Sequence, residues 1–471
     1  MKLCQFDLLL PACCKRWSTG ATLIVGALAC ITSPAYGLDL VQSYRLALTQ
    51  DATYQASRAE ASANRELAPQ ALAQLLPNVS GSLIRTKNAT DSVVPGFNGP
   101  VQSTQDYLSS SYVLSVHQPI FRKYNFAQYR QAQSQVKSAE ASLEKSLQDL
   151  LVRLSGAYFE ALMAQDQMAL IVAQKEAYGV QLQAVKRVFQ AGQGTRTDID
   201  DAQARYDMIL AQELEATQNL GYTKRQLSVI VNQPVNDLAL LDPAHMELVA
   251  PIPASPEEWI SRGEEVNGEL RSMRANVESA KQELEKAKAG HWPTVDLIAQ
   301  RSRGQSANDT TINQLYLTSM VGLQVNVPLF AGGYAVSQER QALANIERYQ
   351  QLYEGRRREV DQQIRKEFQN VSEGVLKVRA LEQAERSADQ AVFSNQKGFQ
   401  AGTRTMVDIL NAQQQRVNVR RDLAQQRYMY LMARVRLQGL VNSLDENEIT
   451  LINSWLTASP SSAPTAPAAV N

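Results

Sequence analysis

The sequence has little of what builds a chemical centre. Its 471 residues include only four cysteines and three histidines, and 47 basic side chains balance 47 acidic ones. Cys4, Cys13, Cys14 and Cys30 all precede residue 31, so nothing beyond them can form a disulfide or a cysteine-ligated metal site. His117, His245 and His291 are far apart and lack ligand-like spacing. Metal, cofactor and catalytic triad are therefore not expected, and neither is enzymatic activity. Zero net charge gives no electrostatic ground for nucleic acid as a partner. Past the N-terminus no run of eighteen apolar residues occurs, so any membrane crossing must be by β-strands. Proline is absent from 123–190 and from the corresponding stretch that ends at Gln400, which leaves room for two very long helices.

The cysteines belong to an N-terminal targeting segment. Lys2, Lys15 and Arg16 form a basic n-region, 21–31 is an apolar h-region too short to span a bilayer, and Ala35-Tyr36-Gly37 offers small residues for cleavage. Residues 1–37 are expected to be a secretory signal peptide. Its removal takes away Lys2, Lys15, Arg16 and Asp7, leaving 44 basic and 46 acidic residues and no thiol. A rival reading ends a lipoprotein signal at Ala27-Leu28-Ala29-Cys30, with Cys30 acylated. There the leucine stands one place too close to the cysteine.

What the chain does have is an internal repeat. Phe189-Gln190-Ala191-Gly192 recurs as Phe399-Gln400-Ala401-Gly402. At the same spacing, Thr195, Asp198, Ile199, Ala202 and Gln203 recur as Thr405, Asp408, Ile409, Ala412 and Gln413. Val116, Pro119 and Phe121 answer Val325, Pro328 and Phe330, and Leu227, Val231 and Asn232 answer Leu437, Val441 and Asn442. The expected plan is a first repeat over 38–231, a proline-rich linker over 232–262, a second repeat over 263–456, and a disordered Ala/Pro/Ser tail over 457–471.

Each repeat reads as helix, strand, polar loop, strand, very long helix, tight turn and shorter helix. Val136, Ala139, Leu143, Leu147, Leu150, Leu154 and Ala161 keep coiled-coil spacing, as do Val360, Ile364, Val371, Val375 and Val378. At about 1.5 Å per residue each rod reaches on the order of 100 Å. Gly192, Gly194 and Gly402 end the rods, and Thr195 with Asp198, or Thr405 with Asp408, forms a capping box for the next helix. Helices near 51–76 and 257–290 stack end to end with the shorter arms to match the rods in length. Arg356-Arg357-Arg358 reads as a solvated helix face.

Strands are expected at about 79–87, 106–117, 294–303 and 315–327, with polar loops over 88–105 and 304–313 pointing outward. Leu315, Leu317, Val321, Leu323, Val325 and Val327 share one face of the last strand, and Tyr316, Thr318, Gln324 and Asn326 the other. That alternation fits a tilted transmembrane strand, with a soluble sandwich edge as the bland alternative. Pro119, Pro328, Gly332 and Gly333 mark the bends from strand to helix. Four strands cannot close a membrane barrel, and an open edge in lipid leaves backbone groups unpaired. Spanning therefore requires oligomers, and the spacing argument does not choose between two copies and three.

The paired Phe-Gln-Ala-Gly turns, Gly402-Thr403-Arg404-Thr405-Met406-Val407-Asp408-Ile409-Leu410-Asn411-Ala412-Gln413, and Pro328-Leu329-Phe330-Ala331-Gly332-Gly333 resemble the TolC family of outer membrane channel-tunnels. The resemblance spans about 40–451. It implies a mainly α fold with transmembrane β: a homotrimer with a 12-stranded β-barrel in the outer membrane of a Gram-negative bacterium, set on a 12-helix periplasmic α-barrel. It also implies that the tips, with Gly192, Gly194, Gly402 and Thr403, dock a periplasmic adaptor (membrane fusion protein) and an inner-membrane ABC or other transporter. By position, Asp408 falls on the family's first aspartate ring and Arg404 on its linking arginine. Asp198 beside Thr197 falls on the acceptor across the hairpin interface. Asn411 stands where a second aspartate ring is usual, and Phe399 where an aromatic link carries a hydroxyl. Without the resemblance, Asp198 and Asp408 read as helix caps.

The function expected is a passive exit duct through periplasm and outer membrane, in type I protein secretion, with multidrug efflux as the alternative. A periplasmic coiled-coil adaptor is the alternative of another class, and it would not need the alternating strands.

Overall fold

The computed structural model describes residues 37–457 except Asn98 and Gln193. The segment expected to be a signal peptide, up to Tyr36 and with Cys30, and the expected tail from Ala458 lie outside the described residues.

The chain runs α1 (Leu40–Gln50), α2 (Ala52–Arg65), α3 (Leu67–Ala73), β1 (Asn78–Gly96), β2 (Gly99–Phe121), α4 (Lys123–Gln190) and α5 (Arg196–Val231) through the first copy. A short strand β3 (Leu240–Leu241) and α6 (Pro256–Val266) follow. The second copy continues with α7 (Gly268–Lys288), β4 (Thr294–Gln305), β5 (Leu315–Asn326), α8 (Tyr334–Gln400) and α9 (Met406–Leu440). The chain closes with α10 (Glu446–Asn453) and β6 (Leu456–Thr457), which pairs with β3. The helix expected near 51–76 is broken at Glu66 into α2 and α3, and the one near 257–290 at Asn267 into α6 and α7.

The two proline-free segments are the rods: α4 has 68 residues and α8 has 67, each reaching about 100 Å. Helices α5 and α9, of 36 and 35 residues, return from the tips. On α8 the spacing works as read, since Val360, Ile364, Val371, Val375 and Val378 are all buried. Val360, Ile364, Val371 and Val375 share a core with Leu150, Leu154 and Tyr158 of α4, Leu431 and Val435 of α9, and Leu40, Trp259 and Trp455 of the flanking segments. This core sits midway along the rods, where α1, α6, α10 and the β3–β6 pair cover them. The Tyr158 hydroxyl donates to the carbonyls of Leu38 and Ala239 at 3.0 and 3.3 Å.

The arginine triplet on α8 departs from the solvated face expected. Arg356 pairs with Glu269 at 2.7 Å, and Arg357 with Glu264 at 2.6 Å and Glu354 at 2.9 Å. These bonds fasten α8 to α6 and α7; Arg358 alone is mostly exposed. Glu354, between Arg357 and Arg358, is held down at about 2.

The four main strands form one antiparallel sheet in the order β1-β2-β4-β5, so β1 and β5 are its edges. All twelve residues of β5 are exposed in the single chain, with Leu317, Val321, Leu323 and Val325 on one face and Tyr316 and Met320 on the other. The first hairpin is longer than expected. Register runs unbroken from Asn78↔His117 to Gly96↔Gly99, so 88–105, expected as a loop, is a paired ladder. Its cross-strand hydroxyls bond to each other, Ser80 to Ser115 at 2.8 Å and Thr86 to Ser109 at 2.5 Å.

Candidate gate at the hairpin tips

Both rods end alike. Ala191 N–H donates to Arg187 O and Gly192 N–H to Phe189 O; Ala401 and Gly402 repeat the pattern with Lys397 and Phe399. Gly192 and Gly402 each have φ +75°, where a Cβ is penalised. At the second tip a Cβ on Gly398 would come within 2.7 Å of Arg404 Cγ, so a larger residue there would displace the Arg404 side chain. The Gly398 carbonyl accepts from Thr403 N–H at 2.9 Å and Thr403 Oγ1–H at 3.0 Å. Sequence reading passed over Gly398, which has Val188 as its counterpart in the first copy.

Both returning helices open on a complete capping box. Asp198 N–H donates to Thr195 Oγ1, and Asp198 Oδ2 accepts from Thr195 N–H at 3.1 Å and Thr195 Oγ1–H at 2.6 Å. Asp408 bonds Thr405 in the same way, at 2.8 and 2.9 Å. The Thr405 N–H and hydroxyl, with the Arg404 charge nearby, hold the Asp408 carboxyl below its usual range. In one protomer, then, Arg404 stands beside Asp408 and no ion pair joins it to Asp198 among the described residues. Thr197, Phe399 and Gly194 are exposed at the tips, and a Cβ on Gly194 would just touch the Phe189 backbone at 3.4 Å.

Just behind the tips, Leu410 of α9 is 3% exposed and packs with Ile171 and Tyr178 of α4 and Ile209 and Ala216 of α5. This small cluster stands apart from the main core. The Tyr178 hydroxyl and Gln174 Nε2 both donate to Gln414 Oε1, at 2.8 and 3.0 Å. Arg205 Nη2 donates to Asn411 Oδ1 at 3.3 Å, which ties Asn411, expected at a ring position, to the other hairpin. Above this contact a groove of about 580 Å³ is lined mainly by amides, including Gln167, Gln212 and Asn418. The sequence carried a signal for the cluster: the repeat breaks where exposed Asp200 of copy one is answered by buried Leu410 of copy two.

At the opposite end of the rods, Pro119 precedes a register shift in β2, and Pro328 follows the last rung of β5. Gly332 and Gly333 have φ +59° and +81°, and Gly333 caps α8. The Arg122 guanidinium forms a two-pronged bond to Asp296, at 2.8 and 2.7 Å, which pins the start of α4 to β4.

A sheet with open edges and exposed apolar side chains, carried on hairpins of this length, fits the wall of a membrane duct. The profile of the family described as "Outer membrane efflux protein" matches residues 43–233 and 259–443. The chain is 34% identical over 437 residues to alkaline protease secretion protein AprF of Pseudomonas aeruginosa, covering 93% of this chain and 90% of that protein. It is 30% identical over 444 residues to proteases secretion protein PrtF of Dickeya chrysanthemi, covering 93% and 96%. The crystal structure of outer membrane protein VceC from Vibrio cholerae shares the fold, with TM-score 0.74 at 18% identity over 86% of this chain and 96% of that one. The chain belongs to the outer membrane efflux protein family, as its TolC-like motifs imply. It is an exit duct of the Gram-negative outer membrane with a periplasmic helical domain.

Proposed function

We propose that three copies close the duct and that it carries polypeptides exported by an inner-membrane ABC transporter and a periplasmic adaptor. The observation that carries this reading is the sheet with two unpaired edges. Pairing β1 of one copy with β5 of the next removes every lipid-exposed edge, and three copies give twelve strands. Twelve rod-length helical segments then continue the wall into the periplasm.

In that assembly the tips face the axis and form the periplasmic entrance. Three Asp408 carboxylates concentrate cations there, and Arg404 reaches Asp198 beside Thr197 on a neighbouring hairpin. Opening breaks those links and withdraws Leu410 from the other hairpin. Asn411, bonded to Arg205, leaves a single acidic ring, and Phe399 contributes apolar packing without a hydroxyl link. The turns with Gly192, Gly194, Gly402 and Thr403 meet the adaptor. The similarity to AprF and PrtF, both protease secretion proteins by name, supports protein secretion as the transport mode. Small-molecule efflux is the second reading, supported by the family's description.

The test is planar-bilayer conductance of the detergent-purified mature protein, with its mass measured in the same preparation. A trimer with small, cation-selective conductance is expected. A species that never inserts overturns the duct, and restored export of a type I substrate in a strain lacking its own channel separates secretion from efflux.

A further inference from the structure

The first hairpin outgrows the sheet that carries it. Pairing between β2 and β4 ends at Ser110↔Gln305, and Ser110 faces Arg85 on β1. Beyond that level, β1 and β2 continue for eleven pairs, from Thr86↔Ser109 to Gly96↔Gly99. At about 3.3 Å per residue this free ribbon is roughly 35 Å long. It leaves the sheet on the side away from the rods. A neighbouring copy cannot pair all of it, because β5 has 12 residues against 19 in β1. A lone two-stranded ribbon is marginal in water, so one of this length needs something to pack against.

The residues at its end say what. The register has no bulge along β1, so one face can be followed rung by rung. Starting in the membrane-level part, that face carries Ser80, Ser82, Ile84, Thr86, Asn88, Thr90 and Ser92, with Ser115, Ser111, Ser109, Tyr107, Gln105 and Ser103 among their partners. It is the hydroxyl-rich side, opposite the one with Leu83, Leu108, Tyr112 and Leu114. Within the four-stranded part the same face also carries Ile84 and Val113; beyond it the face is polar apart from Tyr107 until the directly paired Val94 and Val101 at the far end, where Val93 stands on the opposite face. Val94 and Val101 are exposed, and Phe97 in the adjoining turn is completely so. On the trimeric reading proposed above, the hydroxyl-rich side faces the lumen, and the apolar end stands beyond the membrane. Apolar side chains on a water-facing surface are the mark of an unfilled contact.

We infer that the three ribbons lean together over the outer mouth and pack Val94, Val101 and Phe97 of one copy against those of the other two. Reach allows it: twelve tilted strands at ordinary spacing enclose a barrel of about 12 Å radius, well within the ribbon's length. Continuity also favours a second copy as occupant, because the same hairpin supplies the β1 edge used in the proposed barrel. Paired Pro95↔Pro100 at the tip blunts further strand addition, so the contact is made by side chains. The duct would then have an apolar outer closure as well as a periplasmic gate, relaxed when an exported chain pushes the tips apart.

All four native cysteines precede residue 31, so a Val101→Cys variant of the mature protein carries a single thiol. In purified trimers, a short bis-maleimide is expected to link most protomers into dimers, since one thiol joins only two copies. Thr90→Cys, four rungs back on the same face, should link at least tenfold less. Adding Val94→Asp to Phe97→Cys should abolish linking through that position while the trimer mass is unchanged. Trimers of normal mass whose Val101→Cys thiols stay unlinked and react freely with a bulky PEG-maleimide overturn the inference and leave the duct intact. In whole cells, linkage to another protein overturns it equally. A preparation that is not trimeric overturns the duct reading itself, and this inference with it.

Discussion

Asn267 Nδ2 donates to the carbonyl of Leu440 at 2.8 Å, while Asn267 Oδ1 accepts from Glu269 N–H and Leu270 N–H at 3.0 and 3.1 Å. One buried amide therefore caps the start of α7 and satisfies a carbonyl at the end of α9. Two short helices from distant parts of the chain become one interrupted rod beside α4 and α8. The first copy makes its joint differently: Asn232, left-handed at φ +52° where Asn267 is not, donates to Gln50, and Asp51 caps α2 and binds Arg153 at 2.8 Å.

Asn267→Leu removes the cap and leaves the Leu440 carbonyl unpaired in a dry joint. The cost is about 1–3 kcal/mol, from a lost N-cap plus an unsatisfied acceptor. The measurement is hydrogen exchange, with protection lost first over 268–272 and 437–441. Uniform loss along α4 as well would mean that the joint is not a separate unit.

Arg122→Ala should be worse. Asp296 is 4% exposed, and the guanidinium is its main partner, with His117 Nε2 farther off at 3.7 Å. Removing one member of such a pair strands a buried carboxylate, which costs about 3 kcal/mol. Arg122→Lys keeps the charge but loses the two-pronged geometry, so it should recover only part of the loss. Heat stability of the trimer in detergent reports the order wild type, Lys, Ala; equal values for Lys and Ala would show that charge contributes nothing.

Leu410→Ala tests the apolar half of the latch. Truncating a buried leucine costs about 2–5 kcal/mol in a large core. In this five-residue satellite cluster the loss should fall at the low end and stay local. The expected result is a larger closed-state conductance with almost unchanged melting. Unlike an ionic link, the effect should persist at high salt, because buried apolar contacts are not screened.

Much of this was legible beforehand because repetition and period are strong signals. The tips, the capping boxes at Thr195 and Thr405, the rods and the alternation of β5 all follow from residue types at fixed spacing. The ribbon was not legible. Asn88, Thr90, Ser92, Ser103 and Gln105 form paired strands beyond the last β2–β4 rung, and a run this polar, with no apolar alternation, is indistinguishable from a loop. The arginine triplet failed for another reason: Glu264 and Glu269 lie almost a hundred positions away, and nothing in 356–358 announces them. Leu410 was signalled only by its mismatch with Asp200; its packing partners, and the Arg205 contact, needed two hairpins that the sequence places 200 residues apart.

Asp408 separates capping from gating through the sign of its pH response. Within one protomer its carboxyl is lowered, chiefly by the Thr405 N–H and hydroxyl and then by Arg404. A lowered value means that the cap's contribution is complete above the usual aspartate range near 4, and is lost as pH falls through the lowered value. On capping alone, exchange at Met406–Leu410 should rise only below about pH 4, and conductance should not respond above it. If three Asp408 carboxylates share a narrow throat, mutual repulsion acts the other way and raises at least one of them. Conductance and block by multivalent cations should then titrate above pH 4 and vanish in Asp408→Asn. Thr405→Val weakens the cap without removing the charge, so it should increase exchange at the start of α9 and leave cation block in place. Loss of block in Thr405→Val, with none of the titration above pH 4, would reduce Asp408 to a helix cap.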